Sequence, residues 1–445
     1  MKISVLGLGK LGAPLAAVFA SKGFTVVGTD LNPAYVDAVN SGKAPVDEPR
    51  LQELIDASRA RLSATTDAAE AVAATDVSFV IVPTPSDGSG RFSNAAVLRA
   101  MEFIGAGLRR KESSYHVVVI TSTVMPGSTG GEIRLALERH SGRTVGPTLG
   151  LCYNPEFIAL GSVVRDMLQP DMILIGESDS RAGDVLERLY TTSCDNTPAV
   201  RRMNFVNAEL AKIAVNTFVT TKISYANMLA DVCDRLPGAD VDVVTQAIGS
   251  DSRIGPKYLK GAIGYGGPCF PRDNVAFGAL ARTLGARADL ATATDAVNRF
   301  QVERVLAAVE TRFSGSGAIG ILGLSYKPDT SVVEESQGLA LIERLLERGL
   351  RVIAYDPKAL PVAQQVVRKT FEVAASAPEC VRSASLVVVM TPWPQFREIP
   401  EDAYHRTAGR LTVIDCWRTI PKGIAKIADV VYLGQGAADS VSVGA

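Results

Sequence analysis

A chain of 445 residues is longer than one hydrophobic core usually serves, so two or three domains are expected. Apolar residues make up 47% and charged residues 21%, the balance of a folded globular protein and not of a disordered one. A formal charge of -1 gives no global field to attract nucleic acid or anionic lipid, and no run approaches the roughly 18–20 apolar residues of a membrane helix.

The opening, MKISVLGLGKLG, enters a β-like run at once and leaves no room for a signal peptide. The six cysteines are widely spaced with no CxxC pair, so neither a disulfide framework nor a metal cluster is expected. A reducing, cytoplasmic setting is the resulting expectation. After the first strand, GLGKLG opens a helical pattern over 11–21, and FTVVGTD reads as the second strand. Gly7, Gly9 and Gly12 take the G-x-G-x-x-G positions in the strand–turn–helix setting this fingerprint requires. The arrangement suits a tight turn, close approach to a pyrophosphate and free N–H groups at a helix start. Asp30 ends the second strand, where a carboxylate can hold both hydroxyls of an adenosine ribose and repel a 2'-phosphate. NAD is therefore favoured over NADP.

Two further β-like runs, DVSFVIVPTP and YHVVVITSTVMPG, end in hydroxyl residues and proline. Ligands of open parallel sheets lie beyond the carboxyl ends of the strands, which makes Thr84 and Thr123 candidates for the nicotinamide side. Hydroxyls that simply cap strands would look the same. TLGLCYNPEFIALGS and DMILIG continue the alternation to about residue 197.

Residues 207–236 read as one long helix, free of Gly and Pro until Pro237, and mostly buried. Lys212 and Asn216 share a face of it and could form an oxyanion clamp. A lysine snorkelling to solvent beside a packed asparagine would give the same pattern. A second helix runs to about residue 248. Then GSDSRIGPKYLKGAIGYGGPCFPRDN offers Arg253, Lys257 and Lys260, local positive charge suited to a phosphorylated substrate. Gly261, Gly264, Gly266, Gly267, Pro268 and Pro271 surround Cys269, a composition for a tight loop and not for helix or sheet. A small buried hydrophobe in a core turn is the plain alternative for Cys269.

Beyond a helical stretch ending near Phe313, GSG marks a joint, and the opening pattern repeats in AIGILGLSYKPD, LALIERLLERG, LRVIAYDP, SLVVVMTPW and LTVIDCW. GLSYKP lacks the second and third fingerprint glycines, which argues against a second dinucleotide. The loops SYKPDT and DCWR still fall at a ligand crevice, and a nucleotide-bearing substrate is the natural inference. The expected fold is α/β, with two Rossmann-like doubly wound domains (1–200 and 314–445) joined by a central helical domain with a long helix (201–313).

Taken together, the glycine-rich start, NPEF, AELAKIAVNTF, GYGGPCFPRD and GLSYKPDT resemble the nucleotide-sugar 6-dehydrogenases. That group contains UDP-glucose, UDP-N-acetylmannosamine, UDP-N-acetylglucosamine and GDP-mannose dehydrogenases. The resemblance covers nearly the whole chain and implies a homodimer or higher oligomer. It implies Cys269 as nucleophile, with Lys212, Asn216, Asp273, Glu156 and Thr123 as its catalytic companions. Cofactor contacts are expected from Gly7, Gly9, Lys10, Leu11, Gly12, Asp30, Thr84, Thr123 and Lys327. Substrate contacts are expected from Glu156, Phe157, Ile158, Lys212, Asn216, Lys257, Tyr258, Tyr265, Gly266, Tyr326, Lys327 and Arg418, and from Arg253 across a subunit interface. Two departures stand out: Leu160 replaces a second glutamate after NPEF, and Arg272 replaces the usual lysine.

The chemistry so implied takes a primary alcohol to a carboxylate in two oxidations, the second from a cysteine thiohemiacetal that becomes a thioester. Water near Glu156 or Asp273 then hydrolyses it. UDP-glucose or a UDP-N-acetylhexosamine is the expected substrate, with GDP-mannose open. A two-electron hydroxyacid dehydrogenase would share the first domain but have no use for Cys269, and an NAD-binding scaffold would turn over nothing. His116, His140 and His405 have no persuasive catalytic setting.

Overall fold

The computed structural model describes residues 1–111 and 115–436. They form two compact units, Met1–Ala214 and a second beginning at Val215, divided within one continuous helix.

In the first unit β1 (Lys2–Leu6), β2 (Thr25–Thr29), β3 (Leu62–Thr65), β4 (Val77–Val80), β5 (His116–Ile120), β6 (Leu149–Tyr153), β7 (Met172–Glu177) and β8 (Ala199–Met203) make one sheet. Their order, β3-β2-β1-β4-β5-β6-β7-β8, reverses direction between β1 and β4 as a doubly wound sheet does. β4, β5 and β6 are buried along their whole length, as parallel strands covered on both faces must be, and their apolar runs permit it. The helix Gly12–Ser21 buries every residue but its last, and Phe19 packs against Phe79 and Tyr190 beneath it.

The alternation of strand and helix expected to about residue 197 continues through β8, but β7 pairs with β6 antiparallel and so breaks the parallel run of the sheet. After Tyr153 the chain runs irregularly through NPEFIALGS in place of a long crossover helix. Glu48 fixes that segment by accepting hydrogen bonds from the N–H groups of Gly161 (3.0 Å) and Val163 (2.7 Å).

The second unit holds β9 (Ala318–Leu322), β10 (Arg351–Tyr355), β11 (Glu372–Val373), β12 (Ala384–Val389), β13 (Thr412–Asp415) and β14 (Asp429–Tyr432). They pair in parallel in the order β11-β10-β9-β12-β13-β14, the same winding as the first six strands. The chain thus has two doubly wound α/β sheets and a helical region between them in sequence, as the sequence implied.

One expectation about the second sheet needs correction, since its third fingerprint glycine is present but displaced. A Cβ on Gly12 would fall 1.8 Å from the Gly7 carbonyl oxygen, and one on Gly338 would fall 2.5 Å from that of Gly323. The interval from Gly323 to Gly338 is ten residues longer than that from Gly7 to Gly12. The extra residues form a loop bearing Tyr326 and Lys327. Asp356 stands where Asp30 stands in the first sheet, but it is buried. Its Oδ2 accepts from the Leu324 and Ser325 N–H groups and from Trp393 Nε1, and its Oδ1 from the Lys358 and Ala359 N–H groups. Buried in this way, Asp356 offers no open face to a ligand, whereas Asp30 is part-exposed.

The central helix, Phe205–Arg235, spans 31 residues, about 46 Å at 1.5 Å per residue. It is less buried than its composition suggested, because Phe218 (67% exposed), Tyr225, Met228 and Val232 face solvent. The stretch after Cys269 also differs from expectation. Instead of continuing the loop, Phe270–Thr283 is a helix with Pro271 in its first turn, where the fixed φ and missing N–H cost nothing.

Candidate functional site

Beyond the carboxyl ends of β1, β2 and β4 lies a cavity of about 430 Å³, lined by Gly7, Asp30, Leu31, Val82, Arg99 and Phe103 among others. Gly7 has φ +101°, and a Cβ there would fall 2.1 Å from the Ile81 carbonyl oxygen, so only glycine fits. A Cβ on Gly9, by contrast, would meet nothing within 4 Å, which leaves open space over the helix N-terminus where a pyrophosphate would come. Lys10 and Leu11 complete this turn. Asp30 Oδ2 accepts from the Leu8 N–H at 2.7 Å and Oδ1 from the Asn32 N–H at 2.8 Å, which holds the carboxylate at the cavity wall. These residues fit a dinucleotide. Arg99 and Phe103 went unnoticed in the sequence, since their helix carries no motif and neither belongs to its buried face.

The loops after β4 and β5 meet at the two predicted threonines: Thr84 Oγ1 donates to the Thr123 carbonyl oxygen at 2.7 Å. Ser122 sews the same loops together through the N–H and carbonyl of Val82. A carboxylate missed in the sequence anchors the turn beyond Thr123. Glu209, fully buried on the central helix, accepts from the N–H groups of Gly127 (2.6 Å) and Thr129 (2.7 Å). Its one signal was its place a turn before Lys212.

Lys212 is buried, and its Nζ donates to the Glu156 carbonyl oxygen at 2.7 Å while lying 4.8 Å from the centre of the Phe157 ring. The snorkelling alternative is thereby removed. The Glu156 carboxyl itself turns away, into an apolar pocket with Leu15, Val18, Phe19, Met167, Ile173 and Tyr190. Burial there raises its pKa to about 7, against the opposing pull of Lys212 and of a long 3.5 Å contact from the Tyr190 hydroxyl. Tyr190 also donates to Asn154 of the same motif at 2.5 Å. Ile158 and Leu160 pack against the core of the first sheet.

In the second unit Cys269 is solvent-exposed and immediately precedes the helix Phe270–Thr283. The core-turn alternative therefore fails for this thiol, whereas Cys152, Cys233, Cys380 and Cys416 are buried. One turn on, Asp273 is 1% exposed, and its Oδ2 accepts from Asn216 Nδ2 at 2.6 Å. Its Oδ1 lies 3.6 Å from Arg272 Nε and accepts no hydrogen bond among the described residues. The carboxylate thus lies one turn after an exposed thiol and has capacity to accept a further hydrogen bond. Gly266 and Gly267 pass beneath the displaced-glycine loop: a Cβ on Gly266 would fall 2.3 Å from the Glu335 carbonyl oxygen, and one on Gly267 2.6 Å from the Tyr326 ring. The lengthened loop of the second sheet is thus the platform for the cysteine loop, with Lys327 5.9 Å from the Tyr326 ring centre.

The remaining candidates are placed more variously. Tyr265 is buried, with its hydroxyl donating to Asp295 at 3.1 Å. Arg253, Lys257 and Tyr258 lie on an exposed stretch, and Arg253 pairs with Asp251 at 2.6 Å. Arg418 is held by both oxygens of Asp240 (2.9 and 2.8 Å) and by Asp242 (3.3 Å), so its guanidinium is engaged within the fold. His116 is sealed in the first sheet against Ser78 and the Thr75 carbonyl, and burial with nearby Lys111 pushes its pKa down to about 3. Among the described residues no helix is long and apolar enough to cross a membrane, and no group of side chains suits a metal ion.

Comparison with known proteins accounts for this arrangement. Residues 1–194 match the NAD binding domain of the UDP-glucose/GDP-mannose dehydrogenase family, residues 206–300 its central domain and residues 320–422 its UDP binding domain. The UDP-glucose 6-dehydrogenase AglM of Haloferax volcanii is 37% identical over 409 residues, covering 90% of this chain and 94% of that one. A GDP-mannose 6-dehydrogenase of Pseudomonas putida is 34% identical over 360 residues, covering 80% and 81%. The solved structure of a UDP-glucose dehydrogenase from Pyrobaculum islandicum superposes with a TM-score of 0.88 at 34% identity, covering 99% of this chain and 98% of that one. With an NAD-binding domain, a sequence match along nearly its full length and a shared fold, the chain belongs to the UDP-glucose/GDP-mannose dehydrogenase family of NAD-dependent nucleotide-sugar 6-dehydrogenases.

Proposed function

We propose that this protein oxidises the C6 alcohol of a UDP-hexose, UDP-glucose or a UDP-N-acetylhexosamine, to the carboxylate through a covalent intermediate on Cys269. The observation that carries the reading is the exposed Cys269 thiol one turn before buried Asp273, whose Oδ2 is held by Asn216 and whose Oδ1 lies 3.6 Å from Arg272 Nε. Bound NAD supplies the hydride acceptor for each of the two oxidations. In the first, the alcohol loses its proton to a water held at Asp273 Oδ1, while Lys212 and Asn216, one helical turn apart, stabilise the charge growing on oxygen. The Cys269 sulfur then bonds to the aldehyde carbon and the carbonyl oxygen takes up a proton, giving a thiohemiacetal. Its oxidation leaves a thioester. Water adds to that carbon, the C–S bond breaks, and carboxylate and free thiol result.

The three-part organisation 1–200, 201–313 and 314–445 describes this division of labour: cofactor, central helix with cysteine loop, and nucleotide. UDP is favoured because the Haloferax relative and the superposing Pyrobaculum structure both bear UDP-glucose names. We further infer a homodimer through the apolar stripe of the central helix, where Phe218, Tyr225, Met228 and Val232 recur at helical spacing. Arg253, 87% exposed on its side chain, would then reach a substrate held by the partner. Free thiols throughout accord with a cytoplasmic setting.

The test is NADH production from UDP-glucose, UDP-N-acetylglucosamine, UDP-N-acetylmannosamine and GDP-mannose, with NADH counted against sugar acid. Two NADH per molecule of one UDP-sugar is expected. One NADH per molecule would indicate a two-electron dehydrogenase, exclusive use of GDP-mannose would overturn the UDP assignment, and no turnover would leave a binding scaffold.

A further inference from the structure

The chain enters the cysteine loop through residues 262–265, which have no neighbouring strand, yet their main-chain groups are paired. Asn227, on the central helix, accepts from the Ala262 N–H at 2.8 Å and donates Nδ2–H to the Ile263 carbonyl at 2.8 Å. Asn298, on the helix Asp289–Arg312, accepts from the Tyr265 N–H at 2.7 Å and donates to the Tyr265 carbonyl at 3.0 Å. Each side-chain amide therefore does for the loop what a rung of β-ladder does for a strand.

Both asparagines are buried, Asn227 completely. A buried amide in a helix interior costs free energy unless all its bonds are made, and leucine would suit both positions better for packing alone. Gly264 lies between the two rungs, and a Cβ there would fall 2.6 Å from Asn298 Oδ1 and 2.7 Å from Gln337 Oε1. The loop cannot shift toward that helix, and its next fixed point is the Gly267 N–H, which donates to the Glu334 carbonyl at 2.9 Å. Past the cysteine, Asn216 holds Asp273. Asn216 and Asn227 belong to the same helix, about 16 Å apart along its axis at 1.5 Å per residue. One rigid element thus grips the cysteine segment on both sides of Cys269.

We propose that Asn227 and Asn298 are positioning residues for Cys269. They act through the loop backbone, touch no substrate, and set where the thiol stands relative to Asp273. The proposal rests on the covalent role assigned to Cys269 in the proposed reaction.

Asn298→Ala and Gly264→Ala test it, the second pressing a Cβ onto Asn298 Oδ1 and so disturbing that rung without removing either amide. Each folded variant is compared with wild type for kcat, KM, NAD affinity, melting temperature and the rate of iodoacetamide labelling at Cys269, read by peptide mass spectrometry without substrate. We expect kcat to fall about 10- to 100-fold, as misplacing a reacting group by an ångström does, with NAD affinity within about twofold of wild type. The Cys269 labelling rate should change several-fold in both. Wild-type kcat, or an unaltered labelling rate in a protein that has merely lost stability, would overturn the positioning role. Failure of the covalent reading shows separately, as continued sugar-acid production by Cys269→Ala, and leaves the labelling rates to judge the loop on their own.

Discussion

Asn216 donates its side-chain N–H to Asp273 at 2.6 Å, joining the central helix to the first turn of the helix that Cys269 opens. The bond engages Oδ2, while Oδ1 lies 3.6 Å from Arg272 Nε. Asp273→Asn keeps the volume but not the charge, and can no longer draw a proton through bound water. It should lower kcat by roughly 10²-fold, within the usual range for removing a positioned acid or base. The Michaelis constant for NAD should stay near wild type. Steady-state kinetics in both substrates check this, and a wild-type kcat would return Asp273 to a packing role.

Lys212 is already a donor, bound to the Glu156 main chain. An ammonium that is buried and fixed in this way has little reorganisation left to undergo when charge develops on a nearby oxygen. Lys212→Ala should therefore lose roughly 10²- to 10³-fold in kcat, the penalty typical of a lost transition-state donor. Binding of the nucleotide sugar, measured by calorimetry, should largely persist.

Glu156 makes a prediction about stability and pH. Burial raises its folded-state pKa from 4.5 to about 7, so between those values the folded protein keeps a proton that the unfolded chain has lost. Stability falls wherever the folded state binds more protons, hence as pH rises from about 4.5 to about 7, and it levels off above that. Below pH 4.5 both states are protonated and no penalty exists. Glu156→Gln cannot ionise, so denaturant melts should show it gaining on wild type across this window, by about 3 kcal/mol at most. A constant difference from pH 4 to pH 8 would mean that the carboxyl is solvated.

Asp30 is held at the cavity wall by two N–H groups, with Arg99 lining the same cavity. Asp30→Ser removes the ribose acceptor and the charge that repels a 2'-phosphate, while the cation remains. The Michaelis constant for NAD should rise and the preference over NADP should narrow. Unchanged cofactor selectivity would count against the assignment.

Much of this could be read from the residues because local chemistry decided it. GLGKLG in its strand–turn–helix setting admits few conformations, and β4 and β5 are mostly apolar because both faces are covered, with Ser78 and His116 hydrogen-bonded to each other. What escaped reading depends on distant partners. GLSYKP looked like a degraded fingerprint because its last glycine, Gly338, lies ten residues late. The burial of the central helix was overestimated because composition does not distinguish a stripe facing a core from one facing outward, as Phe218 does. The ion pairs of Arg418 with Asp240 and Asp242 could not be read from its loop. Asn227 and Asn298 gave no pattern at all, and Glu209 only its place a turn before Lys212, since each acts on backbone far away in sequence.

The covalent role of Cys269 is tested most directly by intact-protein mass spectrometry of Cys269→Ser and Cys269→Ala after incubation with NAD and the accepted nucleotide sugar. The serine hydroxyl should still attack the aldehyde weakly and leave an ester that hydrolyses poorly, so a species heavier by the nucleotide sugar should accumulate. The alanine variant should bind NAD, form no adduct and release no sugar acid. Sugar acid made at the wild-type rate by Cys269→Ala, with no adduct on Cys269→Ser, would contradict the mechanism.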